Sequence, residues 1–396
     1  MRKININAIS MFLVNFYIFS LLIFAYDEDT NVILHMIAII LYAFGVLYAC
    51  YNKEKAFEDT RIYISFFLII FLSCLSVLWS ANPDSAIDAT KTVFLLSLLA
   101  VSIYNIVNTR KKILNVINAY IFSVYIMFVY YICSYGINNI INLFLTGGRI
   151  GDITQINAFG LYSSIAFIIC MFKAINTKKY LYYILAIMPL LMAIASGSRK
   201  SLLILILSVP LLSVINSKGK ILINIIFSIL IIYGIYYIFE SMGVLENVFV
   251  RTFDFFAEKK DTSSNIRIGF LEYGWGKFLD NPLIGYGVEQ FQELLYRDTG
   301  ARSPAHNNYM QILISFGMIG FTIWYSMYYY IIKNIIGRVF KDKLCNLIFI
   351  IFVCLLVSDL STSTLNDKFT YVFLAVGFSL VRVIKSEEDK YQNENF

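Results

Sequence analysis

Runs of about 20 apolar residues recur along almost the whole chain, and no other feature constrains its fold so much. A helix needs about 20 such residues to cross a bilayer, and inside lipid only helices or closed barrels satisfy every backbone polar group. About twelve runs of that kind can be read, at approximately 8–26, 32–51, 62–79, 92–108, 113–135, 157–175, 180–196, 200–216, 221–239, 317–335, 344–363 and 368–384. Of the 396 residues, 59% are hydrophobic and 15% charged, whereas a soluble domain is about 45–50% apolar and about 25% charged. The expected fold is therefore an all-α polytopic membrane protein of about twelve transmembrane helices. One large outer loop, containing short amphipathic helices, interrupts them.

The net charge of +6 does not imply a nucleic-acid partner, because the basic residues sit in short clusters between apolar runs. Such clusters set orientation in a membrane. With the N-terminus inside, the inner connections hold Arg2/Lys3, Lys53/Lys55/Arg61, Arg110/Lys111/Lys112, Lys173/Lys178/Lys179, Lys218/Lys220, Lys333/Arg338/Lys341/Lys343 and Arg382/Lys385/Lys390. Outer connections are acidic, as at Asp27-Glu28-Asp29, or hold a single basic residue, as at 80–91 with Lys91. Both termini are thus expected in the cytoplasm. Met1-Arg2-Lys3 leads into an apolar run with no small-residue cleavage site after it, so the run reads as a retained first span. Three parts are expected: an N-terminal bundle over 1–239, a large extracytoplasmic loop over 240–316, and three C-terminal spans with a short tail over 317–396. The six cysteines fall in or beside apolar runs, with no C-x-x-C, and read as small buried side chains. Two histidines without ligand-like spacing give no metal site, and no cofactor is expected.

The long loop carries Arg251, Arg267, Arg297 and Arg302 and closes on Ser303-Pro304-Ala305-His306-Asn307-Asn308. A transporter does not need such a loop, whereas an enzyme at a membrane surface does. Apolar positions 268, 271, 275, 278 and 279 recur at helical spacing, which predicts a short amphipathic helix on the membrane surface with Arg267 at its start. Pro282 to Gly287 reads as a turn. Ser303 as N-cap and Pro304 at the first helical position predict a helix through about Phe316, with His306 in its first turn. The positive end of that helix would keep the imidazole neutral and able to accept a proton.

Two basic sites break the charge rule. Arg199 and Lys200, in Ser196-Gly197-Ser198-Arg199-Lys200-Ser201, fall in a very tight outer turn at the hydrocarbon boundary, where an ionisable group is expensive and usually functional. Gly197 and the serines would let a phosphate approach the backbone, and the planar arginine fork suits a phosphate; the competing reading is snorkelling toward lipid headgroups. Arg149, in Gly147-Gly148-Arg149-Ile150-Gly151, is a second outer arginine, for which a solvated loop charge weighs equally. Asp359 lies in the outer half of a late span and is a candidate partner for an arginine.

In order and sidedness these residues resemble the O-antigen ligase/polymerase superfamily, polytopic enzymes of bacterial surface-polysaccharide assembly. Ser198-Arg199-Lys200-Ser201-Leu202-Leu203 is similar to the family's S-R-x-x-L-L turn. Arg267 through Asn281-Pro282-Leu283-Ile284-Gly285-Tyr286-Gly287 is similar to its R…P-L-x-G-x-G segment, and His306-Asn307-Asn308-Tyr309-Met310 to its H-N-x-x-[LM] segment. The motifs cover about residues 196–325; the N-terminal third matches by topology alone. The resemblance implies an enzyme of the bacterial inner membrane that moves glycan from an undecaprenyl-diphosphate-linked oligosaccharide to an acceptor glycan on the extracytoplasmic side. It needs no metal or nucleotide sugar. His306, Arg267 and Arg199 would be catalytic, the arginines holding the diphosphate and His306 acting on the acceptor hydroxyl. Arg251, Arg149, Arg302 and Lys200 would bind diphosphate or glycan. A chain-length regulator protein is a further expected partner beside the lipid bilayer.

The preferred reading is a surface-polysaccharide (O-antigen or capsule) polymerase that extends a lipid-linked repeat unit at its non-reducing end. The alternatives are a ligase to lipid A-core or a protein O-glycosyltransferase with the same donor. A lipid-linked oligosaccharide transporter is the rival from another class. It would place charges within spans around a central cavity, whereas here they gather outside.

Overall fold

The computed structural model describes residues 6–24, 28–52, 59–139, 156–196, 198–216 and 262–394. The expected span 221–239, Arg149 and Arg251 lie outside the described residues. Each of the other expected spans is helical. In chain order the helices are α1 (Ile6–Phe24), α2 (Glu28–Tyr51), α3 (Arg61–Ser76), α4 (Pro83–Ile106), α5 (Arg110–Tyr135), α6 (Ile156–Thr177), α7 (Tyr180–Ala195), α8 (Arg199–Asn216), α9 (Thr262–Asp280), α10 (Phe291–Thr299), α11 (Asn308–Ile335), α12 (Lys343–Asp359) and α13 (Lys368–Glu394). No strand occurs among the described residues, and 8 helices are long and apolar enough to cross a membrane. The chain is an all-α polytopic membrane protein. α7 and α8 are shorter and carry Pro189 and Pro210 inside them, which packed neighbours make tolerable in a membrane helix.

α1 packs on α2 and α5, α4 on α2, α3 and α13, α6 on α7 and α8, and α12 on α8 and α11. The buried sides of these helices form one continuous core, while side chains such as Phe12, Ile39, Phe67 and Phe122 stay exposed on the outer sides, as suits helices that present apolar surface to lipid on one side and to each other on the other. α9, α10 and the start of α11 have a separate small core of Phe278, Phe291, Leu294, Leu295, Ala305, Met310 and Ile314.

Three helix starts differ from the sequence expectation. α4 begins at Pro83, well before 92, because Asn82 Oδ1 accepts from the Ser85 amide at 3.2 Å and Pro83 takes the first turn, where no amide is needed. α9 begins at Thr262, so Arg267 lies within the helix and not at its start. α11 begins at Asn308, not at Pro304: Asn307 is the N-cap, its Oδ1 accepting from the Met310 amide at 2.9 Å. His306 lies before the helix with φ 51°, outside its first turn.

α11 is broken at Gly317 (φ 61°, ψ −160°), at the expected boundary between loop and C-terminal spans. A break frees carbonyls on one side and amides on the other. The turn Pro282–Gly287 fills it. The Tyr286 and Gly287 amides donate to Ile314 O at 2.8 Å and Ser315 O at 2.9 Å, while the Met318 and Ile319 amides donate to Pro282 O at 2.8 Å and Leu283 O at 3.2 Å. The approach is so close that a Cβ on Gly317 would stand 2.3 Å from the Leu283 carbonyl, and one on Gly285 2.4 Å from Ile314 O. The two glycines let one backbone dock into another.

At the opposite end of the bundle the charges are paired. Arg110 bridges Asp342 at 2.6 Å and Glu387 at 2.7 Å, and Lys385 meets Asp59 at 3.0 Å. Arg382, read from sequence as one of a cluster of inner cations, is buried, with its guanidinium 3.8 Å from the Tyr104 ring centroid and bonded to Val107 O at 3.2 Å.

Candidate functional site

Lys200 enters the site from the first turn of α8. The turn before it is closed by the Ser198 amide donating to Ser196 Oγ at 3.2 Å, and the first turn of α8 is held against α6 by Ser164 Oγ donating to Ser201 O at 3.2 Å. Arg199 opens α8 beside it. Lys200 is only 9% exposed, and its Nζ donates to Thr362 Oγ1 in the connection between α12 and α13. Asp367, Arg267 and Asp359 are the charges that act on it. A buried ammonium is costly unless paired and hydrogen-bonded, so this cation is held in place by tertiary structure and does not simply snorkel.

His306 is half-buried, and its Nε2 lies 3.5 Å from Ser303 Oγ. Burial pulls its pKa below the ordinary imidazole value, and the positive charges of Arg267 and Lys200 pull it further down. The neutral imidazole expected from sequence is thus obtained, but from burial and two cations, not from a helix end. Sequence-distant Lys200, Arg267 and His306 are thereby brought within electrostatic reach of one another.

The connection 360–367 ties the site together. Asn307 Nδ2 donates to Leu360 O at 3.1 Å. Buried Asn308 accepts from the Thr364 and Leu365 amides at 2.9 and 3.1 Å through Oδ1, and its Nδ2 donates to Tyr325 Oη at 3.2 Å and Asp359 Oδ2 at 3.3 Å. Asp359 also accepts from Tyr325 at 3.0 Å and Thr364 at 2.7 Å. The partners of Asp359 are therefore an amide and two hydroxyls, where an arginine was considered from sequence. Asp367 accepts from Tyr162 at 2.8 Å.

On the other side lies Glu289, with φ 58°. Its oxygens accept from Gln311 Nε2 at 3.1 Å and Asn366 Nδ2 at 2.9 Å, and burial pushes its carboxyl up to about 7. The backbone beneath it rests on the α3–α4 connection. The Val288 amide donates to Ser76 Oγ at 3.1 Å, and the Asn82 amide donates to Gln290 Oε1 at 2.8 Å. The motif-free N-terminal third thus forms the shelf on which the loop is set.

The remaining expected site residues stand elsewhere or outside the description. Arg302 pairs with Glu293 at 2.8 Å and lies 5.3 Å from the Tyr296 ring centroid. Arg297 and Lys277 both meet Asp298, at 3.1 and 2.7 Å, clamping the end of α9 to α10. Glu289, Asn366, Asp367 and Thr362 were not found by sequence reasoning. They are single polar residues without a motif, and only the tertiary meeting of two connections gives them a role. Asp359, noted for its place in an apolar run, had the one usable signal.

This arrangement combines two cations suited to a polyanion with a neutral imidazole able to take a proton. Residues 183–325 match the family described as O-antigen ligase. Lys200, Arg267 and His306 all fall inside the match, whereas Ser76–Asn82 and Asp359–Asp367 fall outside it. No curated protein matches the chain.

Proposed function

We propose, with the O-antigen ligase match over residues 183–325 in support, that this chain transfers a glycan from a lipid diphosphate to a sugar hydroxyl at the extracytoplasmic face of the bacterial inner membrane, both termini lying in the cytoplasm. The observation that carries this reading is the meeting of buried Lys200, Arg267 and a neutral His306 at one end of the bundle. The acceptor oxygen forms a bond to the sugar C1 as the bond from C1 to the diphosphate oxygen breaks. Negative charge grows on the departing diphosphate, and cations already in place stabilise it most in the transition state. The acceptor proton passes to His306. Because burial and two cations disfavour imidazolium, His306 gives the proton up again after the transfer. One displacement inverts the anomeric centre. Arg199, at the start of α8, and the loop arginine Arg251 are further diphosphate ligands in this reading.

The acceptor in the preferred form is the next lipid-linked repeat unit, which makes the enzyme a polymerase of O-antigen or capsule. The alternative takes lipid A-core as acceptor and makes the enzyme a ligase; the family match supports transfer of this type without choosing between the two acceptors. Replacing His306 or Arg267 by Ala in the host cell tests the site: long-chain polysaccharide should disappear while protein level and membrane insertion stay normal. Normal chain length in both variants would remove His306 and Arg267 from the chemistry.

A further inference from the structure

Lys200, Arg267 and His306 account for the diphosphate and for the proton, but not for how the incoming sugar is held. We propose that Glu289, braced by Gln311 and Asn366, is the hydroxyl-binding carboxylate of an acceptor-sugar subsite beside His306. The proposal rests on the glycosyl-transfer reading above and names the part of that site which takes the acceptor.

Four observations carry it. Among the described residues Glu289 has no ion-pair partner; its bonds are to two neutral amides, one on each oxygen. A carboxylate offers about four lone-pair sites, so about two remain for hydroxyl donors. A half-buried carboxylate with no cation beside it contributes little to stability. Secondly, Glu289 holds φ 58° without being glycine, a conformation that persists only where the surroundings impose it and that gathers at functional sites. The surroundings do so here: its amide donates to Ser315 Oγ at 3.2 Å, and the preceding amide donates to Ser76 Oγ at 3.1 Å. Thirdly, Gln311 is 1% exposed and its Oε1 has no hydrogen-bond partner. A buried acceptor left without a donor is costly, so Gln311 is held with its Nε2 on Glu289 at a cost that stability alone does not explain.

The fourth observation is position. Gln311 lies one helical turn after Asn307, its amide donating to Asn307 O at 2.9 Å. Asn366 lies four residues along the same connection from Thr362, the partner of Lys200, which limits the separation along the chain to about 14 Å. The cations mark one end of this connection and the carboxylate the other, and Asn308, two residues after His306, is bonded between them to the Thr364 and Leu365 amides. A carboxylate repels a diphosphate and accepts hydrogen bonds from sugar hydroxyls, so its chemistry belongs to the acceptor. Asn366 is exposed and Glu289 partly so, which leaves the pair accessible from outside.

The test uses the full chain in proteoliposomes, with lipid-linked repeat unit as donor. The free repeat-unit oligosaccharide, which lacks lipid and diphosphate, serves as competitor. Glu289→Gln should raise the KM for acceptor and weaken inhibition by the free oligosaccharide about 10-fold or more, the scale of one lost charged hydrogen bond. Heat protection by undecaprenyl diphosphate, which reads the donor side, should stay as in wild type. Asn366→Ala, at an exposed position, should weaken the same inhibition several-fold without loss of fold. Wild-type acceptor KM and inhibition in both variants would overturn the subsite while leaving the transfer reaction standing. No transfer by the wild-type protein itself would overturn the reaction and the subsite together.

Discussion

Replacing Gly317 by Ala probes the joint on which the site is built. Gly317 sits at φ 61° and ψ −160°, a region open almost only to glycine, where another residue costs about 1–3 kcal/mol. Its Cβ would stand 2.3 Å from both the carbonyl carbon and the oxygen of Leu283. Those are backbone atoms, so the Pro282–Gly287 turn has to back out of the break in α11. Doing so gives up some of the four backbone bonds that join Tyr286, Gly287, Met318 and Ile319 to their partners. Each is worth about 0.5–1.5 kcal/mol net in ordinary surroundings. The expected loss is therefore about 3 kcal/mol or more. Gly276→Ala is the control: nothing lies within 4 Å of the added Cβ, and in a helix the change should be neutral or stabilise by about 0.5–1 kcal/mol. Thermal unfolding in nanodiscs, with amide exchange read at Tyr286, Gly287, Met318 and Ile319, measures both. Gly317→Ala should lower the midpoint and open those four amides, while Gly276→Ala should do neither. A Gly317→Ala protein with wild-type midpoint and protection would refute the docked-turn account.

Asn308→Ala should be more damaging than Asn307→Ala. The first leaves two loop amides without an acceptor and takes a donor from Asp359, about 2–4 kcal/mol, whereas the second removes chiefly a helix cap, about 1 kcal/mol; chemical or thermal unfolding of the two variants ranks them. His306 is one of two histidines, so NMR of labelled histidine in a His35→Gln background follows it alone. Its midpoint should lie below the ordinary imidazole value, so the neutral form persists to lower pH than usual. Arg267→Gln removes a charge that lowers it and should move the midpoint upward; an unchanged or lower midpoint would separate Arg267 from His306.

Much of the fold was legible because its physics is local. Length and apolarity of the runs mark the spans, and Pro282 to Gly287 reads as a turn, although the break at Gly317 that receives it is not legible. The N-cap of α4 at Asn82 and Pro83 was also written in the sequence, but a search for apolar runs passes over polar residues at the start of a helix. The start of α11 was misread for a different reason. Ser303-Pro304 is a sound local start signal, yet with Asn307 as N-cap and Asn308 as the first helical residue the two bond to Leu360, Asp359, Thr364 and Leu365, and those tertiary bonds outweigh the local preference. That shift leaves His306 ahead of the helix, where its neutral state comes from Lys200 and Arg267 as well as burial. The 360–367 connection was invisible for the same reason: Thr362, Thr364, Asn366 and Asp367 each meet a partner more than 50 residues away, in Lys200, Asn308, Glu289 and Tyr162.

The most direct test of the central claim is reconstitution of the purified protein in liposomes with a lipid-linked repeat unit as the sole substrate, products being resolved by length. The wild-type protein should build a ladder of longer lipid-linked chains, and His306→Ala, folded and inserted as before, should build none. A ladder that appears only when lipid A-core is added would assign the ligase acceptor in place of the polymerase one. An undiminished ladder from His306→Ala would contradict the site proposed here.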